Sequence, residues 1–203
     1  LTFFLLLLTF FLRFYKFETL GLWGDEILTY WETKPLQTFN EIWLNTSAIE
    51  YTPPFYFYIL NIYNHFFDYS AYTIRLFHII FGFLSILIAF FISRYLFSKS
   101  VSNLILFLLG INLFLVLVST EVRIVPFILF FYLILILFFF HIIKNINSKI
   151  SYLEIIFLTV LNVVILSLHP LTIVIISAQI FFLLLLLKKN NANSNKKLFL
   201  YIS

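Results

Sequence analysis

Residues 74–97 read IRLFHIIFGFLSILIAFFISRYLF. Wound as a helix at 1.5 Å per residue the run is about 36 Å long, enough to cross a hydrocarbon core of roughly 30 Å. That decides the fold class: an all-α, polytopic transmembrane helix bundle. Outward from it, Val101–Ser119, Ile124–Ile143 and Tyr152–Leu168 are runs of the same kind, and Leu171–Leu187 is a fifth, closed by Lys188 and Lys189. Toward the N-terminus, Leu1–Leu12 covers only about 18 Å. It reads as a clipped first span rather than a signal peptide, because no small-residue cleavage site follows and the first alanine is Ala48. Leu198–Ser203 begins a further segment. Composition agrees: the chain is 63% hydrophobic and 11% charged, against about 45–50% and about 25% in soluble domains. A water-soluble domain is excluded. Cysteine is absent, which removes disulfide scaffolds, thiolate zinc sites and cysteine nucleophiles. Methionine is absent too, and with a partial run at each end residues 1–203 read as the N-terminal part of a larger transmembrane domain.

The few charges are sorted by side. Arg94 and Lys99, then Lys144 and Lys149, then Lys188, Lys189, Lys196 and Lys197 occupy three alternate connections, which the positive-inside rule makes cytoplasmic. Glu18, Asp25, Glu26, Glu32, Glu41, Glu50, Asp68 and Glu121 fall on the opposite face, leaving Glu154 apart. The outer face also carries the one long connection, residues 13–73. Long loops in compact architectures are functional or disordered, and this one is too aromatic for disorder. Thr38-Phe39-Asn40-Glu41 has the capping-box pattern of a helix start, followed by Phe39, Ile42 and Trp43 on one face. Thr52-Pro53-Pro54 opens a second helix, since proline is tolerated in a first turn. The loop is therefore expected to lay two juxtamembrane helices over the outer mouth of the bundle.

Candidate chemistry gathers on that outer face. Asp25 and Glu26, in Trp23-Gly24-Asp25-Glu26, are paired carboxylates that can divide acid–base and ligand roles, or else form a solvated acidic turn. Glu50 precedes the Pro-Pro start, where a carboxylate is also ordinary dipole stabilisation. Glu121 and Arg123 end a span two residues apart, so on a helix they face different sides and need separate partners. Ionisable groups at that depth are functional candidates. Arg123 has the planar fork that suits phosphate, and snorkelling to headgroups is its alternative. His169, before Pro170, either contacts substrate or caps its segment. His65, His78 and His141 have no metal-ligand spacing, and Asn112, Asn162 and Gln179 sit mid-span, where interhelical hydrogen bonds are expected. No P-loop, dinucleotide fingerprint or nucleic-acid signature is present, so nucleic acid is not an expected partner.

In order along the chain, Leu22-Trp23-Gly24-Asp25-Glu26, Glu50-Tyr51-Thr52-Pro53-Pro54, Tyr72-Thr73-Ile74-Arg75-Leu76 and Glu121-Val122-Arg123 resemble the membrane glycosyltransferases of the GT-C fold. Within these they resemble the dolichyl-phosphate-mannose-protein mannosyltransferase family and its bacterial branch of lipid A aminoarabinose and lipopolysaccharide-core sugar transferases. The resemblance runs from about Arg13 to Phe127. It departs from the family pattern at Thr52, where histidine is frequent, and at Val125, where tyrosine is frequent. It implies transfer of a sugar from a polyprenyl phosphate to a lipid or protein hydroxyl on the periplasmic side of a bacterial inner (plasma) membrane. A phosphate leaves as a stable anion, so such a reaction needs a base for the acceptor's proton and positive charge facing the phosphate. On the resemblance Asp25 is the base and Glu26 a positioning group. Arg123 holds the donor phosphate, and Glu50, Glu121 and His169 line the cavity. A divalent cation is left open, with Glu26 or Glu50 as its contact. The part of the domain present here is not expected to turn over alone. The rival readings are a polyprenyl-lipid transporter or flippase, which would carry broken helices and midplane charges, and a non-catalytic scaffold of the same fold.

Overall fold

A computed structural model of the chain describes residues 1–15, 17–50, 52–144 and 151–185. Ten helices account for most of these residues: α1 Thr2–Phe14, α2 Gly24–Glu32, α3 Phe39–Ile49, α4 Phe55–Phe66, α5 Ala71–Leu96, α6 Lys99–Ile111, α7 Leu113–Thr120, α8 Val125–Lys144, α9 Tyr152–Leu168 and α10 Pro170–Leu185. No strand occurs among the described residues. The all-α bundle is as expected and consistent with a GT-C fold. Residues 186–187 of the fifth run, the lysine-rich stretch after it, Leu198–Ser203, Lys149 and Tyr51 lie outside the described residues.

Helix starts follow local chemistry. Ser70, Ser98, Thr38 and Ser151 each accept a hydrogen bond from the N–H three residues on, satisfying a donor that the helix leaves free. Thr38/Glu41 and Ser151/Glu154 are full capping boxes. Glu154, the acidic residue off the outer face, also meets His141 of α8 at 3.0 Å.

Helix α5 is the hub, packed on α1, α6, α7 and α8. Two of its crossings depend on glycine. A Cβ added to Gly82 would lie 2.5 Å from Ser119 Cβ, and one added to Gly110 of α6 would run into Thr9 of α1. Small residues let membrane helices approach this closely. α5 and α8 are long and apolar enough to cross a membrane, and α6 with α7 would make a third crossing; α9 and α10 are shorter apolar helices. Apolar side chains such as Phe91, Leu104, Phe114, Val163 and Phe181 face outward, as a lipid-facing surface requires.

Four sequence expectations are corrected. The run 101–119 is not one straight span: it bends by 57° between α6 and α7. Asn112 takes an extended backbone and its Oδ1 accepts from Leu115 N–H, capping α7. It does not bond across helices as expected. Neither does the amide N–H of Asn162, which donates to Leu158 O in its own helix. The break frees carbonyls at the end of α6, and Arg13 supplies a donor. Wholly buried in the last turn of α1, Arg13 donates to Gly110 O and Ser119 Oγ, a cation at a helix C-terminus. Arg13 is thus inside α1 and does not open the loop. Lastly, the loop holds three helices, α2, α3 and α4, not two. The acidic pair at 25–26, open in sequence between a functional carboxylate pair and a solvated turn, lies in the first turn of α2, where carboxylates favour a helix by complementing its dipole.

These three helices roof one end of the bundle. Ile42 of α3, Tyr56, Phe57 and Leu60 of α4, Ile74 and Phe77 of α5, Val122, Phe127 of α8 and Leu168 of α9 form one buried cluster. At an area coefficient of roughly 25 cal/mol per Å² each fully buried side chain contributes about 2 kcal/mol. The cluster ties the roof to the spans and fixes the α7–α8 turn, residues 121–124, among them.

Candidate functional site

The α7–α8 turn separates two arginine–carboxylate centres. On one side, Arg75 of α5 and Glu26 of α2 meet at 2.7 Å with side chains 2% and 1% exposed. Arg75 also donates to Thr120 O (2.8 Å), Gly21 O (3.2 Å) and Leu20 O. Glu26 accepts Val122 N–H at 2.7 Å and Trp23 N–H at 3.3 Å. These bonds tie α2, α5 and the turn together. Gly24, at φ +37°, supplies the left-handed residue that lets the chain turn into α2. Beside the pair is a hollow of about 210 Å³ that Glu121 lines.

On the other side, Arg123 holds Glu50 bidentately, Nη1 at 2.8 Å and Nη2 at 3.1 Å. Its Nη1 also donates to Asp25 O and Thr29 Oγ1, both at 3.3 Å, and Nη2 lies 3.9 Å from the Asp25 carboxylate. Asp25 is 67% exposed. Glu50, Arg123, Thr29, Thr52, Tyr56 and His169 line a cavity of about 260 Å³. His169 Nδ1 accepts from Leu171 N–H, so the residue caps α10 while lining the cavity. Of the sequence candidates, Asp25, Glu50, Arg123 and His169 therefore come together. Glu26 and Glu121 do not join them. Glu121 and Arg123 face different hollows, as expected, though from a non-helical turn. A larger cavity of about 540 Å³, against Thr38 of the α3 cap and Asn61 and His65 of α4, contains none of the candidates.

The sequence leaves a divalent cation open, with Glu26 or Glu50 as its contact. Glu26 is bonded to Arg75 and Glu50 to Arg123. Among the described residues no group of three or more histidine, aspartate or glutamate side chains converges to hold a metal.

Two residues of the site were not singled out from sequence. The phenol of Tyr56, wholly buried on α4, hydrogen-bonds His78 Nε2 of α5 at 2.5 Å, while His78 Nδ1 lies 2.7 Å from Ile74 O. That geometry suits the neutral imidazole, with Nδ1–H donating to the carbonyl and Nε2 accepting from the phenol. Burial pushes the Tyr56 phenol well above its ordinary range, so it stays a donor. The second is Glu32. It is 0% exposed, and neither carboxyl oxygen has a hydrogen-bond partner among the described residues. Burial, reinforced by Glu50 and opposed by Arg123, pushes its pKa up to about 7. A signal existed: Asp25, Thr29 and Glu32 recur at i, i+4 and i+7, one face of a helix. That spacing carries weight only once residues 24–32 are known to be helical.

Fold and site define a polytopic helical membrane protein with a charged cavity at one end, where an arginine fork faces carboxylates under a helical roof. Residues 51–203 match the dolichyl-phosphate-mannose-protein mannosyltransferase family. The chain belongs to that family, and so is a membrane glycosyltransferase by kind, one that draws on a polyprenyl-phosphate-linked sugar. The match contains Glu121, Arg123 and His169 and begins after Asp25, Glu26 and Glu50. No curated protein and no solved structure matches the chain.

Proposed function

We propose that the cavity beside Arg123 binds the phosphate of a polyprenyl-phosphate-linked sugar, and that the sugar passes to a lipid or protein hydroxyl on the extracytoplasmic face of the plasma membrane. The acceptor oxygen bonds to the anomeric carbon as the bond from that carbon to the phosphate oxygen breaks. The acceptor's proton goes to the Asp25 carboxylate, and the electron pair leaves with the polyprenyl phosphate, whose added charge Arg123 faces. Glu50 and His169 line the cavity. Glu26 acts one residue from Asp25 as a positioning group, because its own oxygens are committed to Arg75 and Val122. No step is routed through a metal.

One observation carries the proposal: Arg123, which lines the cavity, donates to the backbone carbonyl of Asp25, 98 residues away, with its Nη2 3.9 Å from the Asp25 carboxylate. The extracytoplasmic assignment draws support from the sorting of charge, with lysines on the opposite connections. The direct test supplies the full-length protein with a labelled polyprenyl-phosphate sugar. Arg123→Ala and Asp25→Asn should each lower transfer by at least a hundredfold, Asp25→Asn without weakening donor binding. Unchanged transfer by Asp25→Asn would remove the base from that residue.

A further inference from the structure

The cavity of about 540 Å³ lies between the start of α3 and the second half of α4, and takes in none of the groups assigned to transfer. Ligand cavities run to roughly 300–1,000 Å³, so it has room for a small molecule. Its two walls are pinned together. Lys34 O accepts both Gln37 N–H at 3.1 Å and Asn61 Nδ2 at 2.5 Å. Tyr58 OH of α4 donates to Phe39 O at 3.2 Å, and the Phe39 ring stands edge-on to Tyr58 with centroids 5.1 Å apart.

Hydrogen-bonding capacity in these walls is unspent. Asn61, 4% exposed, gives one N–H to Lys34 O; its second N–H and its Oδ1 have no partner among the described residues. Gln37 Oε1 is buried and has none either. The imidazole of His65, an exposed lining residue, adds further donor and acceptor capacity. Phe39 and Phe66 bring largely uncovered rings. No aspartate, glutamate, lysine or arginine is among the described residues that line the cavity. Glu41, in the first turn of α3, accepts from the N–H and hydroxyl of Thr38, and the Lys34 ammonium sits over the Trp31 ring.

That lining selects its ligand. A phosphate or an ammonium group would enter without a counter-charge, and an acyl chain would bury the free amide atoms without partners. A neutral sugar ring avoids both costs, since its hydroxyls meet the amides and imidazole while its C–H faces pack on the phenyl rings. We propose that this cavity is a subsite for a neutral sugar unit of the acceptor, so that the hydroxyl glycosylated at the charged cavity belongs to a glycan-bearing molecule. The acceptor role rests on the glycosyl-transfer reading. The two cavities share α4: Tyr56 lines the one beside Arg123, and Asn61 and His65 line this one. At 1.5 Å per residue they lie about 8 to 14 Å further along the helix, the reach of a short oligosaccharide.

The test is saturation-transfer NMR of maltose, lactose and chitobiose with the full-length protein in lipid nanodiscs, with no donor present. Saturation should reach the ring protons of at least one probe. His65→Ala and Phe66→Ala, both at exposed positions, and Gln37→Ala should each weaken binding about threefold or more, the size of one lost contact. Unchanged binding in all three variants overturns the proposal. Added farnesyl phosphoglucose tells which substrate owns the subsite: probe binding that it leaves intact supports the acceptor, and displacement of the probe assigns the subsite to the donor and overturns that role. If no probe binds while the wild type still transfers sugar, the subsite falls and the transfer reading stands. Binding without transfer from any donor overturns the transfer reading, and the acceptor role with it.

Discussion

Replacing Glu26 with glutamine tests whether this carboxylate works through structure or through chemistry. In the wild type its two oxygens receive Arg75 Nη2 at 2.7 Å, Val122 N–H at 2.7 Å and Trp23 N–H at 3.3 Å. Glutamine keeps one acceptor oxygen and puts an NH₂ where the other was, so either Arg75 or Val122 meets a donor instead of an acceptor. Arg75, 2% exposed, also loses its counter-ion. Breaking one side of a buried pair typically costs about 3–5 kcal/mol, because a charge is left buried without compensation. The remaining carbonyl bonds of Arg75, to Thr120, Gly21 and Leu20, put the expectation at the lower end, about 3 kcal/mol. Reversible unfolding in mixed detergent micelles measures it. Glu26→Leu combined with Arg75→Met should cost clearly less than the two single changes summed, the coupling of a contacting pair. Any transfer activity lost in Glu26→Gln should track the folded fraction. A cost below about 1 kcal/mol, or additive singles, would refute the bridge as the lock between α2 and α5.

Three further outcomes follow from the same geometry. Arg123→Lys keeps the charge but loses the fork, so binding of a polyprenyl phosphodiester should weaken about tenfold or more in a titration, the size of one lost charge-assisted bond. Gly82→Ala forces a Cβ to within 2.5 Å of Ser119 Cβ and should destabilise by about 1–3 kcal/mol in the unfolding assay, with partial rescue by Ser119→Gly. Glu32 binds its proton more tightly in the folded protein, with pKa raised from 4.5 to about 7. Its contribution to stability is therefore full below about pH 4.5 and falls to a lower plateau above about pH 7. The loss amounts to at most about 3 kcal/mol at 1.4 kcal/mol per unit. The stability difference between Glu32→Gln and wild type should rise across that window, and an invariant difference would refute the assignment.

What was legible from sequence was what local chemistry governs. Whether a run partitions into lipid depends on its own composition, so residues 74–97, 124–143 and 152–168 reappear as α5, α8 and α9 within a few residues. Capping is likewise local, and Thr38–Glu41 and Ser151–Glu154 start helices because a hydroxyl and a carboxylate three residues apart satisfy each other's backbone. The candidates Asp25, Glu50, Arg123 and His169 could be named because chemistry-bearing residues stand out in an apolar chain. Their pairing could not. Glu26 meets Arg75 across 49 residues and Arg123 meets Glu50 across 73. Periodicity says nothing about which of several outer carboxylates an arginine reaches. That choice is made by the roof, whose apolar cluster sets α2, α3 and the α7–α8 turn at fixed distances. The bend at Asn112 and the unpartnered Glu32 belong to the same class. Each depends on what packs alongside, and a neighbour distant in sequence, such as Arg13 against Gly110, is brought near only by the fold.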